Sequence, residues 1–418
     1  MPEYIINGGK PLYGNVTVGG AKNAVLPILC ACLLCDSGKV TLTNCPDISD
    51  VTYTVKILKK LGCDVFVSGG QITVDATAAH FEPLNCDEVK MLRSTALFLG
   101  AQTGRFAMAE QCLPGGCELG PRPIDLHLLA FAQMGVTVTL SDGVIVCSGC
   151  THSANIHLKF PSVGATENII LASCKSNATV MITGAAREPE IVDLQNFINA
   201  MGGKVRGAGT DTIIVEGVEK LVGVNYNIIS DRIEAATYMA AALTTNGRVT
   251  VNGINFEHIL SFTDFCVNAG ASTVFTHNSV TVSRASPWLL AVEYLETAPY
   301  PAFPTDAQSL ALSVLSLGIG TSCVCEKIFS SRLGVAKELN KMGADITVVL
   351  NRAYVNGVGC LLGANVTACD LRAGAALVVA ALGANGTTYV SGAHHILRGY
   401  QNLIPNLTAL GADIQLQN

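Results

Sequence analysis

The 418-residue chain is poor in charged residues and lacks both a long apolar run and a basic block. Asp, Glu, Lys and Arg make up 14% of it, against about 25% in an average soluble domain, whereas hydrophobic residues make up 49%. No apolar run reaches the roughly 18 residues that a membrane span needs. The longest run, 24–35, contains Pro27 and stops at Asp36. We therefore expect buried helices and no membrane partner.

The chain also lacks the features of nucleic-acid binding and of secretion. Its net charge is −6 at pH 7 without a cluster of basic residues, which argues against nucleic acid as a partner. The start, Met-Pro-Glu-Tyr, contains neither a basic segment nor the apolar core of a signal peptide. We expect a cytoplasmic protein whose 16 cysteines are free thiols.

Two Cys-x-x-Cys pairs raise the question of a zinc site. They are Cys32 with Cys35 and Cys147 with Cys150. A structural zinc site needs four ligands at characteristic spacing, and that pattern is missing. Since the first pair lies inside the apolar run, its thiols are better interpreted as small buried hydrophobes. We predict no metal site and no cofactor.

A short motif recurs six times along the chain. In each copy an apolar residue and a glycine precede a strand-like alternation, and the glycines, 67 to 73 residues apart, stand at positions 62, 135, 202, 270, 343 and 411. This spacing indicates one supersecondary unit copied six times. Each glycine is predicted to follow an amphipathic helix as its C′ residue, where a left-handed conformation is needed.

Each copy has a second helix that is apolar all round and is therefore predicted to be buried on every side. The six predicted segments are 24–35, 94–101, 167–174, 235–244, 308–317 and 373–382. Three such helices can pack around a common axis with strands outside them. We therefore predict an α/β fold of two domains, each with three repeats, and a cleft between them. One domain is placed at 22–229 and the other at 1–21 plus 230–418.

Polar residues precede the buried helices in the register of the repeat. A buried helix exposes only its ends, and its N-terminus favours anions. Asp306 and Asp370 could be ordinary caps, but lysine and arginine oppose the helix dipole and are poor caps. This pattern predicts an anion-binding cleft formed by Lys22 with Asn23, Arg93, Ser162 with Gly164, Asp231 with Arg232, Asp306, and Asp370 with Arg372.

The segment 113–125 contains one thiol, Cys117, among glycines and prolines, five residues before Arg122. Glycine and proline break helices, so we predict a loop that a ligand can reach. A thiol that is accessible and close to a positive charge can react or carry a proton. Cys117 is therefore a candidate catalytic thiol on a loop able to move.

These residues resemble the UDP-N-acetylglucosamine 1-carboxyvinyltransferase family of enolpyruvyl transferases. The shared motifs follow the expected order along nearly the whole chain: Gly20-Ala21-Lys22-Asn23, Pro114-Gly115-Gly116-Cys117, Arg122-Pro123-Ile124-Asp125-Leu126-His127, Ser162-Val163-Gly164-Ala165-Thr166, 186–193, 297–299, Phe303-Pro304-Thr305-Asp306, Asp370-Leu371-Arg372 and Arg398-Gly399-Tyr400. The resemblance implies two inside-out, barrel-like α/β domains, each with three repeats of buried helices and outer sheets.

The resemblance also implies an activity. It is the transfer of enolpyruvate from phosphoenolpyruvate to the 3′-hydroxyl of UDP-N-acetylglucosamine, with release of phosphate. This is the first committed step of peptidoglycan synthesis, on which cell-wall formation, cell shape and cell division depend. Both substrates are small molecules, and no other partner is implied.

Individual roles follow from the same resemblance. Cys117 would deliver a proton to the methylene carbon and be the thiol that fosfomycin alkylates, while Asp306 would orient and deprotonate the sugar hydroxyl. Lys22 and Arg398 would also be catalytic, and phosphoenolpyruvate would be bound by Lys22, Asn23, Arg122, Arg372 and Arg398. The UDP-sugar would be held by Asn23, Arg93, Arg122, Pro123, Ile124, Asp125, Leu126, Ser162, Val163, Gly164, Asp306 and Ile328. His127 is interpreted as a support for its loop.

The chain departs from the family pattern at two acidic positions. Where the family has Phe-Glu-Asn-Arg-Phe, the chain has Ser330 in place of the glutamate, although Arg332 is kept. Where the family has Ile-Asp-Arg-Gly-Tyr, Leu397 replaces the aspartate that would orient nearby cations. The departures bear on the rate and on how Arg398 is held.

Two other functions remain open from the sequence. The first is enolpyruvyl transfer to shikimate 3-phosphate on the same fold, against which the Cys117 loop argues. The second is a non-catalytic UDP-sugar-binding regulator, which Ser330 and Leu397 favour. Against the regulator stands the joint presence of a thiol and a carboxylate, Cys117 and Asp306, which pure binding does not need.

Overall fold

The computed structural model describes residues 2–115 and 124–417. The predicted site residues Cys117, Arg122 and Pro123 lie outside them. The α-helices of the described residues are α1 Lys22–Cys32, α2 Ser49–Lys60, α3 Asp87–Met91, α4 Leu97–Phe106, α5 Asp125–Gln133, α6 Val163–Ser173, α7 Pro189–Ala200, α8 Arg232–Thr244, α9 Leu260–Asn268, α10 Gln308–Leu315, α11 Val335–Lys341, α12 Leu371–Gly383, α13 Ala393–Ile396 and α14 Leu403–Ala409.

The strands alternate with these helices along the chain. They are β1 Glu3–Asn7, β2 Tyr13–Thr17, β3 Val40–Thr43, β4 Asp64–Ser68, β5 Gln71–Asp75, β6 Met108–Cys112, β7 Thr137–Ser141, β8 Val144–Ser148, β9 Ala154–His157, β10 Thr179–Thr183, β11 Lys204–Arg206, β12 Thr212–Glu216, β13 Asn225–Asn227, β14 Arg248–Asn252, β15 Ala271–Phe275, β16 Ser279–Arg284, β17 Leu289–Leu290, β18 Tyr294–Glu296, β19 Gly318–Ile319, β20 Thr321–Cys325, β21 Asp345–Val349, β22 Arg352–Asn356, β23 Asn365–Thr367, β24 Thr387–Ser391 and β25 Asp413–Gln417.

Contacts between Cα atoms divide the chain into two compact units. The middle unit consists of residues 20–115 and 124–229, and the terminal unit consists of residues 2–19 and 230–417. Each unit has one continuous hydrophobic core. The mixed α/β architecture and the repeats agree with the predicted fold.

The middle unit contains three buried helices, α1, α4 and α6, and three sheets. The sheets have the strand orders β13-β3-β5-β4, β6-β8-β7 and β11-β12-β10-β9. Strand β10 pairs in parallel with β9 and in antiparallel with β12, and β3 does the same with β13 and β5. In the three-stranded sheet, a parallel bridge between Leu84 and Gln111 takes the place of the fourth strand.

The terminal unit repeats this plan with buried helices α8, α10 and α12. Its four-stranded sheets have the orders β15-β16-β14-β2, β18-β20-β22-β21 and β23-β24-β1-β25, with a small sheet of β17 and β19. The first two strands of the chain complete two of these sheets, because β1 pairs with β24 and β25 and β2 pairs in parallel with β14.

All six repeat glycines adopt the predicted left-handed conformation. Their φ angles lie between +83° at Gly62 and +101° at Gly411. Each follows the capping residue of an outer helix, namely α2, α5, α7, α9, α11 or α14. In the first copy, the N–H of Cys63 reaches back to the carbonyl of Leu58 at 3.0 Å, as in a Schellman motif. The prediction of six helix-ending glycines is confirmed.

Four of the six buried helices, α1, α6, α8 and α12, begin earlier than their apolar runs. Helix α1 starts at Lys22 and α8 at Arg232, because polar residues occupy the half-buried first turn. Helix α4 was predicted to end at residue 101, yet it continues to Phe106, and its first turn, Arg93–Ala96, is a 3-10 helix. Its polar Gln102 and Thr103 are buried inside the unit. None of the described helices combines the length and apolar character that a membrane crossing requires.

Candidate functional site

In the middle unit, the first cation of the predicted site forms a buried ion pair. Lys22 is the first residue of α1, and its Nζ lies 2.6 Å from Oδ2 of Asp50. Only 12% of the lysine side chain and 3% of the aspartate side chain are exposed. A lysine at a helix N-terminus opposes the helix dipole, so Asp50, in the first turn of α2, offsets its charge. Sequence reasoning missed Asp50, although its place in the first turn of the neighbouring helix was visible.

The start of α6 carries three predicted UDP-sugar residues. Ser162 is the N-cap residue, and its Oγ accepts a hydrogen bond from the N–H of Ala165 at 3.3 Å. Val163 and Gly164 follow in the first turn and are half-buried. The backbone donors of this turn are thus held at a capped helix start, an arrangement that suits an anionic group.

The start of α5 carries three further predicted residues. Ile124 is buried immediately before the helix, Asp125 is its exposed first residue and Leu126 is half-buried. In the same first turn, His127 is buried, and its Nδ1 lies 2.7 Å from Nδ2 of Asn168. Burial, with a smaller effect of the Arg93 charge, lowers the pKa of His127 to about 4. At neutral pH this imidazole is therefore uncharged.

In the terminal unit, Asp306 is held between two arginines. It lies in the 3-10 turn Thr305–Ala307 that leads into α10. Its Oδ1 accepts a hydrogen bond from Nη2 of Arg332 at 2.5 Å, and its Oδ2 accepts one from Nη2 of Arg372 at 2.8 Å. Burial favours the neutral acid, but the charges of Arg372 and Arg332 outweigh it and hold the pKa of Asp306 well below its usual range. Asp306 is therefore an anion at every physiological pH.

The other two helix-start aspartates of this unit act as caps. Asp231 accepts hydrogen bonds from the N–H groups of Ile233 and Glu234, at 2.8 and 3.0 Å. Asp370 does the same for Arg372 and Ala373, at 2.8 and 3.1 Å. The cap interpretation is therefore right for Asp370, whereas the oxygens of Asp306 accept hydrogen bonds from two arginines.

A buried glutamate that sequence reasoning missed organises the surroundings of Asp306. Glu326 is 1% exposed, and its Oε2 accepts a hydrogen bond from the hydroxyl of Thr305 at 3.0 Å. Its Oε1 accepts hydrogen bonds from the hydroxyl of Thr297 and from the N–H groups of Ile328 and Phe329, at 2.7 to 2.9 Å. The predicted UDP-sugar residue Ile328 and the turn that carries Asp306 are thus held by one carboxylate. No motif marked this residue, because two of its partners, Thr305 and Thr297, lie 21 and 29 residues away along the chain.

Arg398 lies in the turn after α13 and is half-buried. Two residues on, the hydroxyl of Tyr400 contacts that of Thr237 at 2.7 Å, which ties this turn to α8. The two positions at which the chain departs from its family pattern, Ser330 and Leu397, are both exposed. Both substitutions therefore concern side chains at the surface of the described structure, not buried ones.

Buried thiols are common in the described residues, and their pKa values are high. Burial raises the pKa of Cys45, Cys63 and Cys147 to about 12. Burial also raises the pKa of Cys32 well above its usual range. These thiols stay protonated and unreactive at neutral pH. Within residues 2–115 and 124–417, no three His, Cys, Asp or Glu side chains are grouped as a metal ion would require.

The structure groups the described site residues within each unit. In the middle unit it brings Lys22 to Asp50, and it links the starts of α5 and α6 through His127. In the terminal unit it brings Asp306 to Arg372 and adds Arg332. The roles of Cys117, Arg122 and Pro123, outside the described residues, stay predictions.

Comparison of the fold with solved structures identifies its class. The enolpyruvyl transferase NikO from Streptomyces tendae superposes with a TM-score of 0.90, over 100% of this chain and 99% of that one, at 24% sequence identity. The family model of EPSP synthase (3-phosphoshikimate 1-carboxyvinyltransferase) matches residues 6–407. The two-unit architecture is thus the enolpyruvyl transferase fold.

Sequence relatives narrow this class. A UDP-N-acetylglucosamine 1-carboxyvinyltransferase 2 from Caldanaerobacter subterraneus is 46% identical over 415 residues, which cover 99% of each chain. A protein of the same name from Clostridium acetobutylicum is 42% identical over 416 residues, again 99% of each chain. The chain belongs to the UDP-N-acetylglucosamine 1-carboxyvinyltransferase family of enolpyruvyl transferases, and the resemblance found in its sequence is confirmed.

Proposed function

We propose that this protein transfers the enolpyruvyl group of phosphoenolpyruvate to the 3′-hydroxyl of UDP-N-acetylglucosamine and releases phosphate. The observation that carries the proposal is the placement of the Asp306 carboxylate between two arginines, in a chain 46% identical to a relative of that name. An acceptor hydroxyl needs a hydrogen-bonding anion, and phosphoenolpyruvate needs cations. Asp306 before α10 and Arg372 at the start of α12 bring both kinds of group together.

The chemistry requires proton transfers at the acceptor oxygen and at C3 of phosphoenolpyruvate. When the hydroxyl oxygen bonds to C2 of phosphoenolpyruvate, its proton must leave and another must reach the C3 methylene. Loss of phosphate from the adduct, with loss of one C3 proton, restores the double bond. We assign proton delivery at C3 to Cys117, and the binding of the phosphate and carboxylate to Lys22, Arg122, Arg372 and Arg398, since guanidinium groups suit both anions.

Asp306 acts chiefly by orienting the hydroxyl. A carboxylate bonded to two guanidinium groups is a weak base, because protonation would break both ion pairs. When Arg372 turns to a substrate anion, Asp306 loses one of these partners and its basicity rises. The binding of phosphoenolpyruvate therefore prepares the base at the acceptor hydroxyl.

Phosphate release, measured separately with UDP-N-acetylglucosamine and with shikimate 3-phosphate as acceptor, tests the proposal. We expect release only with the UDP-sugar. Release with shikimate 3-phosphate would support the acceptor named in the family model's description. UDP-sugar binding without release from either acceptor would support the non-catalytic regulator.

We also propose that fosfomycin alkylates Cys117 in preference to the other cysteines, and that the protein acts in the cytoplasm in peptidoglycan synthesis, and thus in cell shape and division. The raised pKa values of the buried thiols support selective labelling. Peptide mapping by mass spectrometry, with and without UDP-N-acetylglucosamine, measures the site of labelling. Equal labelling of several cysteines would contradict the proposal.

A further inference from the structure

One buried side chain on α6 links that helix to two other segments of the middle unit, α4 with its leading 3-10 turn and α5. Asn168, in the second turn of α6, is fully buried. Its Oδ1 accepts a hydrogen bond from the N–H of Gly100 at 2.9 Å, and its Nδ2 donates to the carbonyl of Ala96 at 2.8 Å. The same Nδ2 lies 2.7 Å from Nδ1 of His127. Both protons of the amide nitrogen thus have a partner.

These contacts determine the tautomer of His127. Gly100 presents an N–H and Ala96 presents a carbonyl, so the amide of Asn168 can be placed in only one orientation. Its NH2 group then faces the ring, and Nδ1 must accept the hydrogen bond. Since burial keeps the imidazole neutral, with a pKa of about 4, the single ring proton is on Nε2.

The three segments are those that carry the proposed UDP-sugar residues. Ala96 ends the 3-10 turn that Arg93 begins, and His127 lies in the first turn of α5, after Ile124. The Nε2 edge of the ring faces the start of α6, since a Cβ on Gly164 would lie 3.1 Å from Cε1 and 3.4 Å from Nε2.

Helices α4 and α6 approach each other closely where Gly100 faces Asn168. A Cβ on Gly100 would lie 2.5 Å from Oδ1 of Asn168 and 2.6 Å from its backbone oxygen. Only glycine allows this contact, so the helices are held at the separation at which the amide reaches Gly100, Ala96 and His127 together.

We propose that Asn168 is a positioning residue: it fixes His127 as the neutral Nε2–H tautomer and holds the starts of α5 and α6 and the turn after Arg93 in the arrangement that binds the UDP-sugar. The sugar-binding part rests on the proposed function. The tautomer does not, because it follows from hydrogen bonds within the unliganded middle unit.

The tautomer is measured by long-range 1H–15N NMR of the ligand-free protein, with His127→Gln used to assign the ring signals. We expect a protonated Nε2 and an accepting Nδ1. In Asn168→Asp the carboxylate has no donor for Nδ1, so the ring proton should appear on Nδ1. A wild-type ring that carries its neutral-form proton on Nδ1 would overturn the proposal, and this measurement does not need a folded Asn168→Asp protein.

Kinetics test the positioning role. Asn168→Asp should raise KM for UDP-N-acetylglucosamine about tenfold, a loss of about 1.4 kcal/mol, while kcat at saturation changes less than about threefold. The matched control is Asn199→Asp in the same unit. The amide of Asn199 also holds a backbone segment, since its Oδ1 accepts from the N–H of Val205 at 2.8 Å and its Nδ2 donates to the carbonyl of Val205 at 2.7 Å. It should leave KM unchanged.

A folded Asn168→Asp protein with wild-type KM would overturn the positioning role, as would an equal rise in KM in the control. If the wild-type protein released no phosphate with any acceptor, the proposed function would fail. The NMR result would then still decide the tautomer assignment, so the two failures are distinguishable.

Discussion

The buried helices of the two units are linked by different kinds of interaction. In the middle unit, Asp36 follows α1 and accepts hydrogen bonds from Arg105 at the end of α4, at 2.5 Å, and from Lys175 after α6, at 2.8 Å. In the terminal unit, hydroxyl groups link the helices instead. Thr244 donates to the carbonyl of Val379 at 3.0 Å, and Ser313 donates to that of Ala376 at 2.8 Å.

A single arginine completes the terminal unit's arrangement. Arg284 donates to the carbonyls of Leu243 and Thr244, the last residues of α8, at 2.7 and 3.1 Å. A cation at a helix C-terminus is favoured by the dipole, and carbonyls are neutral partners. The same repeated plan thus tolerates an ion cluster in one unit and, in the other, hydrogen bonds that end on neutral backbone carbonyls.

The residues at the starts of the buried helices also differ between the two units. The middle unit places Lys22, Arg93 and Ser162 there, whereas the terminal unit places Asp231, Asp306 and Asp370. Two of these aspartates, Asp231 and Asp370, cap their helices, and Asp306 pairs with two arginines. The comparison teaches that a shared position in the repeat does not imply a shared task, and that the partners of each side chain decide it.

The largest effect is expected at Asp306, the aspartate that is paired with two arginines. Asp306→Asn removes the anion between Arg332 and Arg372, and should lower turnover by roughly a hundredfold or more, with a smaller change in UDP-sugar binding. Phosphate release and calorimetric titration measure the two quantities. Asp345→Asn, an exposed position in the same unit, is the control. Unchanged turnover in Asp306→Asn would remove this residue from the mechanism.

The ion cluster should dominate the stability of the middle unit. Asp36→Asn leaves Arg105 and Lys175 without their anion, while both cations stay mostly buried. We expect the free energy of unfolding to fall by about 2–3 kcal/mol, somewhat less than for a fully buried pair. Urea denaturation measures it, with Asp413→Asn, which breaks the exposed pair with Lys10, as a control expected to change little. Equal effects of the two variants would contradict the assignment.

Two carboxylates, Asp36 in the middle unit and Glu234 in the terminal unit, should respond to pH in opposite directions. Burial opposes ionisation of Asp36, but the hydrogen bonds from Lys175 and Leu221 and the nearby cations lower its pKa, so its contribution is complete above about pH 4 and is lost as pH falls through the folded-state pKa. Burial raises the pKa of Glu234 in the terminal unit to about 7, so its contribution falls as pH rises from about 4 to 7.

Unfolding curves between pH 3 and 8 test both signs. Glu234→Gln should remove part of the loss of stability between about pH 4 and 7, and Asp36→Asn should flatten the curve below about pH 4. Asp193, with a pKa raised to about 6 chiefly by burial, contributes to the higher window in the middle unit. Parallel curves for the wild type and both variants would show that these groups do not carry the pH dependence.

The smallest effect is expected at Arg284, whose partners at the end of α8 are neutral backbone carbonyls. Arg284→Met keeps the aliphatic length but removes the donors to Leu243 and Thr244. We expect a loss of about 1 kcal/mol, as for ordinary hydrogen bonds, and no change in turnover. A loss as large as that of Asp36→Asn would mean that the two kinds of helix end are energetically equivalent.

Local patterns predicted much of the fold. The six glycines and the outer helices followed from spacing, because a left-handed C′ residue and a helical period are properties of a few neighbouring residues. The extension of α4 to Phe106 was not predicted, because its polar Gln102 and Thr103 are buried, a circumstance that hydropathy does not reveal.

The candidate site was predicted less completely. Asp36 and Lys175 are 139 residues apart, and Asn168 and His127 are 41 apart, so neither contact has a local signature. Asn168 lies within an apolar helix, where a single amide carries no signal of its own. The role of Asp306 was assigned through family resemblance, whereas its arginine partners became visible only when α12 and the turn of Arg332 were placed around it.

The chain passes between its units at residues 19–20 and again at residues 229–230, and these two places bear on how the gene could be rearranged. The N–H of Ala21 bonds to the carbonyl of Ile229 at 2.7 Å, and the N–H of Asp231 bonds to the carbonyl of Gly19 at 2.9 Å. Both ends of the middle unit therefore meet, and so do the two cut ends of the terminal unit. The middle unit can therefore be regarded as a domain inserted into the terminal unit. A short linker could join residues 19 and 231 of the terminal unit, or the two ends of the middle unit, and a circularly permuted gene could start within the middle unit while these neighbouring ends stay together.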